Sequence, residues 1–307
     1  MQLFASAAAR APQPGTAGAQ LACQLVTGSG ALIPPGLQRI VAAVDLPVRI
    51  GDQEIGTLSE EELRQFYARL RAGEVAETST TPPGAFLEAF RRSTSERILC
   101  LTIPAGWSGM DDSARLAARL LADEEGRQRV TVIDTGTAAA GLGLITRVAA
   151  RRALRGAPFS EVLARTERAV RDVRMFGALE NLEFVARSGR INSLIAGISD
   201  SLHVRPVFRL SDGRAARVSL TRTHSGVLSA LEKTSREIPG RLWLLVFHAD
   251  AIELAAQLEE RLRRVCDVAE CEIVSLDPII GTHTGPGAVG YAALPLWEDE
   301  METESGG

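Results

Sequence analysis

Lysine is almost absent from this chain of 307 residues: Lys233 is the only one, and arginine supplies the other 33 of its 34 basic residues. Aspartate and glutamate together number 38, so the formal net charge is -4. That balance lacks the cationic footprint of a nucleic-acid-binding surface. Cysteine is scarce too. Cys23, Cys100, Cys266 and Cys271 have neither the paired CxxC spacing of a zinc site nor the density of a disulfide framework, and are expected to be inert thiols in a reducing compartment. The four histidines, His203, His224, His248 and His283, show no HExxH spacing. No apolar run approaches the roughly 20 residues that span a bilayer. The opening "MQLFASAAARAPQPGTAGAQ" has no basic segment leading into an apolar core, as a secretory signal requires. Together these absences predict a cytoplasmic protein with no integral membrane segment, no metal and no cofactor.

Standard catalytic signatures are also missing. There is no GxxxxGK[ST] loop, "GWSGM" places its second glycine directly after Ser108 and so is not a nucleophile elbow, and the "GLG" near residue 141 is an incomplete dinucleotide pattern.

What is present is an alternation of short apolar runs with helical patterns. "QLVT" at 24–27, "RILCLTI" at 97–103 and "VTVID" at 130–134 read as buried strands. "DDSARLAARLLADEEG" reads as a helix capped by Asp111 or Asp112 and stopped by Gly126, and "TAAAGLGLITRVAARRALRG" as one starting near Thr135 or Thr137. Strand followed by helix implies a mainly parallel sheet. The second half differs: amphipathic helices in "FSEVLARTERAVRDV" and "ALENLEFVARSG" precede two strands about an Asp212-Gly213 turn. The expected fold class is therefore α/β, with a disordered tail over 1–20, a mainly parallel N-terminal domain with flanking helices over 21–158, an α+β domain over 159–294 and an acidic tail over 295–307.

Small hydroxyl residues gather at four strand-to-helix junctions: Thr27 and Ser29, Thr78 to Thr81, Ser108, and Thr135 with Thr137. Taken singly, each reads as ordinary helix capping. Converging, they make a seat for a carboxylate or phosphate at helix N-termini. Near the chain's end "GTHTGPGAVG" sets His283 among glycines and a proline after the apolar run "CEIVSLDPII", which predicts a shaped loop at a strand end.

The ordered series "VTGSGALIPP", "ETSTTPPGAFLEAF", "LTIPAGWSGMDDSARLAA", "VTVIDTGTAAAGLGL", "LENLEFVARSGRIN", "LHVRPVFRLSDGRAARVSLTRT", "LVFHADAIELAAQL" and "GTHTGPGAVG" closely resembles the DegV family of fatty-acid-binding proteins over residues 21–293. The resemblance implies a two-domain protein that encloses one long-chain fatty acid. It would present the acyl carboxylate to the catalytic subunit of bacterial fatty acid kinase for conversion to acyl phosphate, without catalysing that step itself. It also assigns Thr78 and Ser79 to a hydroxyl motif beside the acyl carboxylate, and Arg190, Arg222 and His283 to the polar mouth of the site; Ser29 and Ser108, from the hydroxyl junctions, are expected to bind the ligand with them.

The chain departs from the family pattern at that same end. Gly28 and Ala31 stand where the family usually has aspartates, Pro104 and Ala105 replace a pair of serines, and Met110 replaces a threonine. Each lost charge-assisted hydrogen bond is worth roughly 1.5 to 3 kcal/mol, so the expectation is an intact fold with altered head-group recognition. Two competing readings are a stand-alone enzyme acting on a small carboxylated or phosphorylated ligand, and a divergent lipid-binding relative.

Overall fold

The computed structural model describes residues 21, 23–189 and 204–297. Its first sheet has four parallel strands in the order β2 (Val41–Val44), β1 (Gln24–Gly28), β6 (Ile98–Thr102), β7 (Val130–Asp134). Every residue of β1 and β6 is buried, which explains why both read as continuous apolar runs rather than as alternating patterns. One face, through Val26 and Cys100, packs against Phe86 and Phe90 of α2 (Pro83–Arg92) and Ala114 and Ala117 of α3 (Met110–Glu125).

The opposite face, through Leu25, Leu99 and Leu101, joins the large cluster around α4 (Ala139–Leu154). That helix is buried on almost every side, as an all-round apolar sequence requires. Gly143 makes the enclosure possible. A Cβ there would stand 2.8 Å from the Ala31 carbonyl oxygen on one side and 3.2 Å from Leu245 on the other.

Leu245 belongs to a second, six-stranded sheet in the order β10 (Arg214–Thr221), β9 (Arg205–Ser211), β8 (Arg174–Ala178), β13 (Val289–Pro295), β11 (Leu242–His248), β12 (Val268–Ser275). Only β11 and β12 run parallel, joined across α8 (Ile252–Val265). Helices α7 (His224–Ser235) and α8 cover its outer face with Leu228, Leu231, Leu258 and Leu262. Helix α4 is thus sandwiched between two sheets. The Asp212-Gly213 turn forms as expected, with both residues at positive φ.

Three local expectations are corrected. Helix α3 begins at Met110 with Gly109 as its N-cap, because the Asp111 carboxylate instead accepts from Thr102 Oγ1 and pairs with Arg115. Helix α4 begins at Ala139 without a side-chain cap; Thr135 donates to the Thr102 carbonyl and Thr137 points at the Met175 sulfur. The segment read as the helix "ALENLEFVARSG" is helical only over α6 (Glu183–Ser188), the preceding "RMFGA" being strand β8. In all three cases tertiary partners outcompete local capping or periodicity. A small antiparallel sheet, β4 (Gln53–Ile55), β3 (Val48–Ile50), β5 (Ala76–Thr78), and helices α1 (Glu60–Arg71) and α5 (Phe159–Asp172) complete the described elements. No helix among the described residues is long and apolar enough to cross a membrane.

Candidate functional site

The glycine-rich motif near the C-terminus is only partly a loop. "GTHT" forms the last turns of α9 (Pro278–Thr284), so His283 is held by a helix. Asp277 caps that helix by accepting from Ile280 N at 3.0 Å, and Pro278 occupies the first turn, where a missing N–H costs nothing. Gly281 has no side chain because Tyr67 of α1 lies where one would be: a Cβ there would stand 2.6 Å from the Tyr67 hydroxyl and 2.8 Å from its ring. The Tyr67 hydroxyl in turn donates to the Leu276 carbonyl at 2.8 Å. Gly285, at φ 72° and ψ 167°, then turns the chain toward β13.

This scaffold places His283 Nε2 2.9 Å from Thr78 Oγ1 at the end of β5. The two residues are separated by 205 positions in the chain. Around them the segment Asp45–Leu46–Pro47 acts as a hub. Ser29 Oγ accepts from Leu46 N at 3.3 Å, Ser79 N donates to the Pro47 carbonyl at 3.0 Å, and Thr81 Oγ1 donates to the Asp45 carbonyl at 3.2 Å. Gly109, beside Ser108, packs closely on the Thr80 methyl. The first three hydroxyl junctions and His283 are therefore neighbours in space, whereas Thr135 and Thr137 are committed to internal contacts.

The remaining sequence-predicted residues stand as follows. Ser108 Oγ accepts from Met110 N at 3.2 Å, leaving its proton available to donate. Arg222 is exposed at the end of β10, its carbonyl accepting from Arg205 at 2.7 Å. Arg190 lies outside the described residues. Thr27 Oγ1 is enclosed and has no hydrogen-bond partner among the described residues, which marks it as a buried donor available to a guest molecule.

One cluster was not legible in the sequence. Arg205 binds Glu180, His224 Nε2 lies 2.9 Å from the same carboxylate, and Gly287 abuts the Glu180 side chain. Burial works to raise the Glu180 acid, but hydrogen bonds and charge from Arg205 and His224 outweigh it and hold the carboxyl below its ordinary range. This cluster connects the Arg222 backbone to the turn that follows His283. His248, by contrast, is a core histidine: burial lowers its pKa, and its Nδ1 accepts from Ala251 N.

The family departures have a packing logic. A Cβ at Gly28 would meet Leu46 at 2.9 Å and the Met110 methyl at 3.0 Å, so methionine occupies the space that an acidic side chain at position 28 would need. Pro104 is buried and packs against Gly213 of the hairpin turn, and Ala105 N donates to Asp134 Oδ2 at 3.0 Å. Gly28→Asp alone is expected to destabilise the protein, and Met110→Thr to relieve it. The double-mutant cycle in urea denaturation should show a coupling of at least about 1 kcal/mol, and simple additivity would refute the pairing.

Asp277 adds a pH dependence. Burial pushes its acid up from 3.8 to about 6, against the opposing N–H donors of Ile280 and Ile279. The folded state holds this proton more tightly than the unfolded state, so stability falls as pH rises from about 4 through about 6 and stays lowered above. Asp277→Asn keeps an acceptor for Ile280 N–H. It should gain on the order of 2 kcal/mol over the parent at pH 8 and match it near pH 4, solvent at the residue's edge trimming the effect. An equal difference at both pH values would contradict this.

Comparison with known proteins decides the family. The model described as "Uncharacterised protein, DegV family" matches residues 22–296. The chain belongs to the DegV family. A DegV domain-containing protein of Streptomyces coelicolor is 31% identical over 274 residues, covering 87% of this chain and 96% of that protein. A protein of Thermotoga maritima named fatty acid-binding protein is 28% identical over 250 residues, covering 78% and 85%. The structure of a DegV family protein from Thermus thermophilus, described for its fatty acid binding, superposes with a TM-score of 0.80 at 28% identity and covers 89% of this chain and 99% of its own. The likeness covers the mixed α/β fold with its parallel sheet and flanking helices.

Proposed function

We propose that this DegV-family protein binds one long-chain fatty acid between its N-terminal (21–158) and C-terminal (159–294) domains and presents the carboxylate to a separate kinase for conversion to acyl phosphate. The observation that carries this reading is the Thr78–His283 contact beside the Asp45–Pro47 hub, which gathers Ser29, Ser79 and Ser108 at one end of the parallel sheet. With its proton on Nε2, His283 donates to Thr78 Oγ1 at 2.9 Å, which leaves the threonine proton free to donate to a carboxylate. The buried, unsatisfied Thr27 hydroxyl and the apolar surroundings of Leu46, Met110 and Ile280 support the same use of the site. Fatty acid binding by the Thermus and Thermotoga relatives supports the ligand class. No nucleophile with a general base is needed here, because in this reading the kinase supplies the phosphoryl group.

The direct test is native mass spectrometry of the purified protein followed by lipid extraction. One equivalent of fatty acid supports the proposal; an empty protein that hydrolyses a generic ester or phosphate overturns it in favour of a stand-alone enzyme. With the usual hydroxyl donors at positions 104, 105 and 110 replaced, tail burial is expected to dominate affinity. Competition against a fluorescent fatty acid should then show affinity rising about fourfold per added methylene until the site is full, at about 0.8 kcal/mol each. A flat dependence on chain length would contradict this division between tail and head group.

A further inference from the structure

A second polar recess lies at the seam between the two sheets, away from the Thr78–His283 contact. It is a groove of about 620 Å³ walled by the β7–α4 connection, the start of β8 with the end of α5, and the tip of the β9–β10 hairpin. Thr78, Ser79, Arg222 and His283 do not line it. Its walls are fixed rather than slack: Gly213 N donates to the Gly136 carbonyl at 2.8 Å, and the Asp134 carboxylate bridges Ala105 N at 3.0 Å and Gly136 N at 2.9 Å.

Three arginines line this groove: Arg171, Arg174 and Arg209. Arg209 lies opposite Phe176 in the β8–β9 register, two positions from Arg174, so the two arginines share a face of adjacent strands. None of the three forms an ion pair with a carboxylate among the described residues, whereas every arginine of α1 and α8 does. Two aspartates also line the recess. Asp134 accepts one backbone N–H on each oxygen, from Gly136 and Ala105, and Asp134 and Asp212 are the acids that oppose the three arginines. Arg174 Nη1 donates to the Arg171 and Val173 carbonyls at 2.7 and 3.0 Å, so on a protein of net charge -4 the groove carries three guanidinium charges, one of them held by the backbone. Guanidinium forks match phosphate oxygens in geometry as well as charge, and the recess has the volume of a small-molecule site.

We propose that this seam binds a small phosphate-bearing anion at a site separate from the fatty acid. Its position at the carboxyl end of β7 is where open parallel sheets take their ligands. Asp134 would couple it to the Pro104–Ala105 loop.

Inorganic pyrophosphate, titrated calorimetrically at low ionic strength, is the probe. The parent protein should bind it, and Arg171→Gln/Arg209→Gln should weaken binding at least about tenfold, while Arg39→Gln, an exposed arginine elsewhere, should not. Saturating oleate should leave pyrophosphate binding in place. The proposal is overturned if the parent does not bind pyrophosphate, if the double variant matches the Arg39→Gln control, or if oleate displaces the probe. It is equally overturned if a glutamate-rich peptide binds the groove and pyrophosphate does not. Should the double variant fold poorly, crystals of the parent soaked in pyrophosphate decide: density against Arg171 and Arg209 supports the site, and density elsewhere rejects it.

Discussion

Replacing His283 by alanine is expected to lower acyl phosphate formation by a partner kinase about 100-fold, while fatty acid affinity falls less than about tenfold. The asymmetry follows from where charge develops. In the proposed complex Thr78, Ser79 and the neighbouring hydroxyls also serve the carboxylate, so loss of the imidazole would be partly covered. During phosphoryl transfer the attacking acyl oxygen and the incoming group carry changing negative charge, and an oriented donor there contributes more than it does to binding. Helix α9 supplies that orientation through the Asp277 cap, the Tyr67 contact at Gly281 and the turn at Gly285. Arg222→Ala should show the same sign with a smaller effect, because the residue is exposed. Turnover with the kinase and the dissociation constant for a fluorescent fatty acid, measured on the same preparations, check this; equal losses in both quantities would contradict the assigned role.

Gly285→Ala should produce the largest loss of stability. Its backbone, at φ 72° and ψ 167°, lies in a region that is essentially closed to residues with a Cβ, which costs about 1 to 3 kcal/mol by itself. The added methyl would also stand 2.2 Å from a ring carbon of Phe184, a buried side chain of α6. The two effects together are expected to exceed about 3 kcal/mol and to lower Tm by roughly 6 °C or more. Gly84→Ala is the control. That glycine lies in the first turn of α2 with nothing within 4 Å of where a Cβ would stand, and alanine there should leave stability unchanged or slightly raised. A Gly285→Ala protein that melts with the parent would show that the turn can relax.

Several features of the fold were legible because their cause is local. The runs at 24–27 and 97–103 hold buried strands since a parallel strand covered on both faces must be apolar throughout, whereas the run at 130–134, expected to be buried as well, is a strand at the sheet's edge in which only Val130 is buried. The Asp212-Gly213 turn forms because both residues tolerate positive φ. Helix α3 stops at Gly126, which adopts the left-handed conformation at its C-cap. The same reasoning failed where a distant partner offered more. Thr135 and Thr137 had the chemistry of caps, yet the Thr102 carbonyl and Met175 claimed their hydroxyls. The "GTHT" segment looked like a loop because its glycines hide a short helix whose cap, Asp277, and whose packing partner, Tyr67, lie on either side of a long chain separation.

By itself, then, the sequence determined the α/β class, the family pattern and the residue types available at the hydroxyl-rich junctions, since periodicity, turn chemistry and motif order are properties of short windows. Tertiary structure alone decided which of those residues meet. It brought His283 to Thr78 across 205 positions, tied Ser29, Ser79 and Thr81 to the consecutive residues 45–47, and set Met110 in the space over Gly28. It also assembled the Glu180–Arg205–His224 cluster and the arginine-lined seam from elements that share no motif. The physical reason is that a hydrogen bond or a packed methyl is set by distances of a few ångströms. Those distances are fixed by how two sheets close on the enclosed helix α4, and no window of neighbouring residues encodes that closure.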